Sequence, residues 1–544
     1  MADKHDGTPS PFAELRPSDR QTLLTMVRRG ASRRDVLGWM MGAGASAAFA
    51  GSIFSGASMA YAQTPKRGGK LTFGETVHGP DDTLDPLLVA SSTDFHRLRM
   101  FYSSLTRLTD NLTASPEIAE EFMSNSDATE WTFKLKQGVE FHDGKTLTAD
   151  DVMYSMNRHL GAETASRAKS LVADIERWEK VGPYEVKAIL KTSNADLPIV
   201  LGTFHFKIVQ DGTTDFSKPV GSGPFRVAEF VPGVRARGTA FENYWGDGPY
   251  IDEIENFGIP DPVARMNAFL AGDVDAIQNV LPNAMASVSG TAGKRIIATE
   301  SGSYVTIAMR RDMAPGSNDD LVMAFKYLMD RQRLLKGTLN DQGTLGNDQP
   351  INKAYADWSP DLPQRMLDPE KAKFHFQKSG IGSTQIPIIA SEVAPGSLEQ
   401  ALVLQREAQA IGMNVEVQRV STDGYWSAVW LVAPVAVASW NMRPTANIQL
   451  TLAYKSDANW NETHWKNPLF DDLLIKSRAA TDPVVRKQMY HDMQTMIHNE
   501  AGSVIPVHRN FIDAANDYVK GFTAVPLAPY GGVEGPEFYW IDKA

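Results

Sequence analysis

The sequence predicts an α/β protein built from more than one lobe. Two stretches carry the fold class. "DPVARMNAFLAGDVDAI" (261–277) and "LEQALVLQREAQAIGMNVEVQRV" (398–420) each run from a helical period to a glycine and then into alternating residues. Helix-then-strand units of this kind build α/β lobes. Length is the third observation. The 544-residue chain, less an export segment of 62 residues, leaves 482. That is too long for one compact core and suits two or three lobes.

The export segment is read from "ASRRDVLGWMMGAGASAAFAGSIFSGASMAYAQ" (31–63). A membrane-spanning helix needs roughly 20 strongly apolar residues. This run is long enough, but Gly, Ala and Ser dominate its middle, so it would hold poorly in a bilayer. Arg33 and Arg34 precede the run, and Ala60-Tyr61-Ala62 closes it with the small-x-small pattern that signal peptidase accepts. Paired arginines, weak apolar run and cleavage pattern in this order resemble a twin-arginine signal cut before Gln63. The competing reading is a Gly/Ala-rich internal helix.

Composition narrows the class. There is no cysteine, which excludes disulfides and a lipid-anchored cysteine after the signal. No second long apolar run follows, so the rest is expected to be soluble, and the bacterial periplasm fits best. Formal charge is −11; residues 1–62 hold seven Lys/Arg against five Asp/Glu, so the mature part stands near −13. Such an acidic chain is a poor partner for nucleic acid.

The elements follow in order. "WTFKLKQGVEF" (131–141) sets Trp131, Phe133 and Leu135 on one face and Thr132, Lys134 and Lys136 on the other. Period 2 predicts a half-buried strand, with Gly138 turning into a second. "TADDVMYSMNRHL" (148–160) predicts a helix with Thr148 as N-cap, acids in the first turn, and Val152 and Met156 on one face. In 261–277, Asp261 caps, Pro262 takes the first helical position, and Val263, Met266 and Leu270 form the apolar stripe. Gly272 stops the helix, and Val274 and Ala276 enter a strand. In 398–420, Gly412 stops the helix and Val415 and Val417 alternate with polar residues. No fixed-period repeat is visible.

Catalytic signatures are scarce. There is no H-E-x-x-H and no G-x-S-x-G; "GSGPF" (221–225) lacks the lysine of an S-x-x-K site, and "SGTAGKR" (289–295) lacks the Walker spacing. His491 and His498 lie about two helical turns apart, which suits solvent-facing histidines better than a metal pair. Without cysteine, structural zinc is disfavoured. No metal, no cofactor and no intrinsic catalysis are expected. The segment "DGYWSAVWLVAPVAVASWNMRPTAN" (423–447) gathers Tyr425, Trp426, Trp430, Trp440 and Arg443. Aromatic walls with one cation suit a small-molecule pocket; ordinary core packing explains the aromatics equally well.

Several stretches together resemble solute-binding protein family 5, the receptors of peptide/nickel-type ABC importers. They are "GGKLTFGETVHGPDDTLDPLLVASST", "WTFKLKQGVEFHDGKTLTADDVMYSMNR", "PVGSGPFRVAEF" with "FENYWGDGPYIDEI", "RMNAFLAGDVDAI" and the closing "NPLFDDLLIKSRAATDPVVRKQMYHDMQTMIHNEAGSVIPVHRN". The likeness spans the mature chain in order. It implies a two-lobed periplasmic binding protein of cluster C type, with an extra subdomain on the first lobe. The implied layout is a signal at 1–62, lobe I at 63–315 with an inserted subdomain at about 111–220, lobe II at 316–504, and a return to lobe I at 505–544. It implies an interlobe cleft, a membrane permease as partner, the twin-arginine export machinery as partner of the precursor, and a monomer. The implied ligand contacts are Tyr425, Trp426, Trp430, Trp440, Asn441 and Arg443, with Asn347 and Asp348 from a loop near the crossing and Thr93 and Asp94 from the opening segment.

One departure bears on the ligand. Peptide-binding members typically carry an acid after the late tryptophan, to pair with the peptide's amino terminus. Here Trp440 is followed by Asn441, Met442 and Arg443. A buried cation needs a partner, so Arg443 calls for an anionic group on the solute. Asp348 in "GTLGNDQPI" (343–351) would supply the opposite charge for a zwitterion. The expected function is a periplasmic receptor for a small peptide-like or other polar, zwitterionic solute. The alternatives are a receptor for a metal chelate or an opine/sugar conjugate, an exported hydrolase, and a sensory or chaperone protein without transport.

The export reading has a direct test. Changing Arg33 and Arg34 together to Lys is expected to leave precursor in the cytoplasm, scored by fractionation and immunoblot. Undiminished periplasmic protein whose signal ends at Ala62 would remove the twin-arginine assignment.

Overall fold

The computed structural model describes residues 65–76, 79–110, 112–480, 482–523 and 525–543. The signal positions Arg33, Arg34, Ala60 and Ala62 lie outside them. In chain order the strands are β1 (Lys70–Glu75), β2 (Thr106–Leu108), β3 (Ala114–Pro116), β4 (Ala119–Ser124), β5 (Glu130–Leu135), β6 (Ile175–Gly182) and β7 (Glu185–Leu190). Then come β8 (Phe225–Val231), β9 (Arg235–Ala240), β10 (Glu253–Gly258), β11 (Ala276–Ile277), β12 (Lys294–Met309) and β13 (Gly343–Leu345). The last are β14 (Ile386–Ala390), β15 (Val415–Arg419), β16 (Val435–Trp440), β17 (Ser503–Asn516), β18 (Val519–Lys520) and β19 (Trp540–Ile541).

Ten strands form one path in the order β15-β14-β16-β12-β17-β11-β1-β10-β9-β8, with β13 added on β17. Strands from before residue 280 fill one side and β14–β16 fill the other. The two long strands β12 and β17 join the sides. They pair antiparallel from Lys294↔Asn516 to Ala308↔Ser503, with the register shifted between Thr299 and Ser303. Beyond that shift, Tyr304–Met309 of β12 also pairs with β16, while the far end of β17 pairs with β11. β12 therefore serves the later half and β17 the earlier one, and their mutual pairing joins the two. On each side parallel pairs, β1 with β10 and β14 with β15, mark the α/β crossovers.

Between β1 and β8 stands a separate four-stranded antiparallel sheet, β4-β5-β7-β6. Its β5 buries Trp131, Phe133 and Leu135 as the alternation predicts. Gly138 turns with φ 77°. The expected second strand is only a single bridge, Glu140 to Thr146, because Phe141 and Lys145 close a tight turn (Phe141 N–H to Lys145 O, 2.8 Å). The next helix, Ala149–Asn157, starts as expected: the Asp151 carboxylate accepts from the Thr148 N–H at 2.9 Å.

The helix Pro262–Ala271 is capped by Asp261, which accepts from the Ala264 N–H at 2.7 Å, and stops at left-handed Gly272. Its buried face differs from the predicted stripe. Val263 is 59% exposed, while Arg265, Met266 and Phe269 are buried. The cause is Arg265. Its guanidinium donates to the carbonyls of Ile259, Pro260 and Gln278 at 2.6–3.0 Å, which turns that face inward. The helix Ser397–Ala410 buries Leu398, Ala401, Leu404 and Ala408, and Gly412 follows it with φ 83° before β15. The glycines of "GSGPF" answer a packing need: a Cβ on Gly221 or Gly223 would come within 1.8 or 2.5 Å of the Phe101 backbone. His491 and His498 are not solvent-facing. His491 contacts the Ser359 hydroxyl, and His498 lies buried against the Asn347 carbonyl at 2.7 Å. Among the described residues no helix is long and apolar enough to cross a membrane.

Asp348, expected at the cleft, is instead fully buried beside the start of β17. Its carboxylate accepts from Arg331 and Arg365 at 2.6 Å each and from the Ile505 N–H at 3.1 Å. Asn347 beside it accepts from the Arg365 N–H at 2.8 Å and donates to the Pro363 carbonyl at 3.0 Å. Asp348 ties the loop after β13 to β17, and Asn347 ties it to the segment at 363–365. Burial pushes the Asp348 carboxyl up, but Arg331, Arg365 and Lys326 together outweigh burial and hold it below 3.8.

Asp348→Ala, which strands two buried guanidinium groups, is expected to cost about 3–5 kcal/mol in urea unfolding at pH 7. Since the folded-state pKa is depressed, this stabilisation is present above pH 3.8 and is lost as pH falls through the folded value. The gap between parent and Asp348→Asn is therefore expected to close only below that pH. A cost under 1 kcal/mol at pH 7 would contradict the assignment.

Candidate functional site

Strand β16 delivers Trp440 at its end because Tyr304 of β12 pairs with it and the Ser303 hydroxyl donates to its carbonyl at 2.8 Å. The chain then leaves the sheet through Asn441, Met442 and Arg443 before Thr445 caps the helix Ala446–Tyr454. Trp440, Asn441 and Arg443 face a cavity with about 660 Å³ of space free of protein atoms, its mouth included. The side before residue 280 contributes Thr76, Ala90, Ser91, Ser92, Phe95 and Asn279. The other side contributes Val393, Trp426, Trp430, Ser439, Trp440, Asn441, Arg443 and Trp460, and β17 contributes Arg509. Asn441 donates to the Ser92 hydroxyl at 2.9 Å, tying the two sides across the cavity.

The tryptophans pack edge to face. Trp426–Trp430 centroids are 5.4 Å apart, Trp430–Trp460 and Trp440–Trp460 both 5.7 Å. This geometry fixes the walls through quadrupole contacts as well as burial. The Arg443 guanidinium carbon lies 5.9 Å from the Trp440 ring and 5.6 Å from the Trp460 ring. Its backbone N–H donates to the Tyr355 hydroxyl at 3.1 Å. Yet Nε and Nη1 of this buried side chain have no hydrogen-bond partner among the described residues. Burial pulls its pKa down to about 10, with the Tyr355 and Tyr304 hydroxyls opposing weakly. Arg509, also buried, reaches only Asn279 Oδ1 at 3.5 Å, and its Nε is unpartnered.

No carboxylate lines this part of the cavity. The cleft continues past Thr76, Asn279, Val393 and Trp426 into a second space of about 630 Å³ bordered by Pro260, Pro262, Pro395 and Glu392. Glu392 lies 3.4 Å from Arg419, and burial together with Glu399 pushes its pKa up. Behind the tryptophans, Glu462 accepts from the Trp430 indole N–H at 2.6 Å, and burial raises its carboxyl to about 7. Among the described residues no group of three or more His, Asp or Glu side chains is placed to hold a metal ion.

The structure thus brings Arg443, Trp440, Asn441, Trp426 and Trp430 together. Tyr425, Thr93, Asp94, Asn347 and Asp348 do not line this cavity. Tyr425 turns into the core, where its hydroxyl donates to the Val437 carbonyl at 2.9 Å. Thr93 is fully buried on the inner face of the helix Ser92–Phe101. Asp94 is used up in the capping box with Ser91 and in an ion pair with Arg97 at 3.4 Å. Asp348 and Asn347 belong to the network at the start of β17. Sequence reading missed Trp460 and Arg509. The density of tryptophan in "NWNETHW" was a usable signal for the first. The second stands in β17 between His508 and Asn510, where no local spacing marks a ligand contact.

Comparison with known proteins shows the family and the fold. The sequence model of the bacterial extracellular solute-binding proteins, family 5 (middle region), matches residues 113–462. The oligopeptide-binding protein AppA of Bacillus subtilis (strain 168) is 26% identical over 528 residues, covering 88% of this chain and 93% of that protein. The periplasmic binding protein AgaA of A. tumefaciens R10, solved with agropinic acid, superposes with TM-score 0.79 at 24% identity, covering 88% of this chain and 99% of that one. NikZ of Campylobacter jejuni, solved with Ni(L-His), gives TM-score 0.78 at 19% identity, covering 87% and 99%.

The Glu462–Trp430 contact is testable by fluorescence. Tryptophan emission of the ligand-free protein is expected to change with a midpoint near pH 7, and Glu462→Gln to abolish that step. The raised carboxyl stabilises the fold fully below 4.5, and this contribution is lost as pH rises through about 7. Glu462→Gln is therefore expected to gain stability relative to the parent across that window. An unchanged emission step in the variant would show that another group causes it.

Proposed function

Because the chain belongs to the bacterial extracellular solute-binding proteins of family 5 and has the two-lobed periplasmic binding protein fold, we propose that its cleft receives a small organic acid and hands it to an ABC importer. The partner is a membrane permease. The protein reaches the periplasm through the twin-arginine segment, is cut at Ala62, and works there as a monomer. The lobes are joined through β12 and β17, and solute contacts from both sides favour the closed form, a population shift toward the state in which more contacts are made. The protein binds and releases without chemistry.

One observation carries the ligand class: Arg443, buried between Trp440 and Trp460 with two guanidinium nitrogens unpartnered. A desolvated cation of this kind is costly until a carboxylate meets it. A planar guanidinium offers that carboxylate two parallel N–H donors. Recognition by a solute's carboxylate, not by its amino terminus, favours opine-like and acidic peptide-like compounds. The likeness to the agropinic acid receptor supports the same reading.

Mass spectrometry of compound released by denaturing the natively purified protein identifies the solute, and titration calorimetry with it tests the anchor. Losing a buried charge-assisted contact costs about 2–5 kcal/mol, which is roughly 30- to several-thousand-fold in affinity. Arg443→Ala is expected to lose that much while its ligand-free thermal stability stays near the parent's. Arg443→Lys is expected to recover part, since lysine lacks the planar fork. Binding by Arg443→Ala within threefold of the parent would refute the anionic-solute reading.

A further inference from the structure

Arg509 lies on β17, the strand that joins β12 to the earlier half of the sheet. It pairs with Ser303 of β12, one position before the Tyr304↔Trp440 pair. Two strand spacings, about 10 Å, therefore separate its backbone from the end of β16. Arg443, in the loop just past β16, and Arg509, on β17, both line the cavity. Both are about 95% buried; Arg443 leaves Nε and Nη1, and Arg509 leaves Nε, without a partner among the described residues.

The other polar lining groups are Thr76, Ser91, Ser92, Asn279, Ser439 and Asn441, all neutral. The acid whose field reaches Arg509 is Asp513, four residues on. It does not contact the guanidinium. Its carboxylate accepts from the Asn279 and Tyr530 N–H groups at 3.1 and 2.6 Å. Burial pushes it up to about 7, so it is only partly ionised at neutral pH. Glu392 lies in the neighbouring space, paired with Arg419. Two desolvated cations thus face one cavity with no ionised acid in contact. Like charges so placed oppose each other until negative charge enters between them.

We propose that Arg443 and Arg509 form a two-point clamp for two anionic groups of one solute, so that the ligand class is a dicarboxylic acid whose apolar part lies on the tryptophan walls. This rests on the reading of the cavity as the solute site. It sharpens that reading from one carboxylate to two. A simple dipeptide, with one carboxylate and one ammonium, leaves Arg509 unpaired and brings a third positive charge into the cavity.

N-acetyl-L-glutamate and N-acetyl-L-glutamine differ by one carboxylate and little in shape, so they are the probes. Thermal shift of ligand-stripped protein is measured with each at millimolar concentration. The clamp predicts that N-acetyl-L-glutamate stabilises the parent and binds at least tenfold more tightly than N-acetyl-L-glutamine. Arg509→Gln is expected to equalise the two, while Arg509→Lys, which keeps the charge, retains the preference. The lysine variant and the ligand-free melting temperatures separate loss of the contact from loss of the fold. Equal shifts in the parent, a preference that survives Arg509→Gln, or no shift by N-acetyl-L-glutamate overturns the clamp. If both probes bind equally and both lose binding in Arg443→Gln, the single-carboxylate reading stands and only the clamp falls. A natively released compound with one acidic group overturns the clamp alone; one with none overturns both.

Discussion

The antiparallel pairing of β12 with β17 is the constraint on which the rest of the molecule depends. These two strands, 16 and 14 residues long, are central in a sheet that otherwise divides into an earlier and a later half. Tyr304–Met309 of β12 bonds to the later half and Ala514–Ala515 of β17 to the earlier half, so the pair carries the connection between the halves. The register shift between Thr299 and Ser303 falls where the neighbours change from β11 to β16. A bulge there adds local twist and bend.

Buried carboxyl groups hold the ends of this connection in place. Asp348 anchors the start of β17 through Ile505 and is itself held by Arg331 and Arg365. At the other end Asp513 fixes the Asn279 and Tyr530 backbones. Charge satisfied inside the protein serves geometry. Arg443 and Arg509 instead face the cavity, where no carboxylate of the lining meets them. The same desolvation that makes an unpaired guanidinium costly makes its contact with a solute anion strong, because little water remains to compete. Tryptophan walls keep that local medium apolar.

Much of the fold was legible because it is written in local periods. The alternation at Trp131, Phe133 and Leu135, the Thr148 cap with Asp151, and the Gly272 and Gly412 stops all depend on residues within a few positions of one another. The buried face of the helix Pro262–Ala271 was not legible. Four carbonyls from outside that helix's own turns draw Arg265 inward, and a period cannot register them. The histidines of the long closing helix were misread for the same reason. Ser359 and Asn347, more than 130 residues away, take them up.

By itself the sequence determined the α/β class, the likeness to the solute-binding receptors, and the aromatic segment with its arginine in place of an acid. These rest on short-range spacing and on ordered motifs, which survive in one dimension. Tertiary structure alone decided which of the singled-out polar residues face the cavity. Asp348 and Arg443 carry equally suggestive charges in the sequence, but Asp348 meets two guanidinium groups from Arg331 and Arg365, whereas the Arg443 nitrogens meet no acid among the described residues. Arg509, between His508 and Asn510 in β17, was unmarked until the sheet brought that strand to lie two places from β16. Whether a charge is structural or waits for a solute depends on the partners the fold brings within about 3 Å of it, where a hydrogen bond can form.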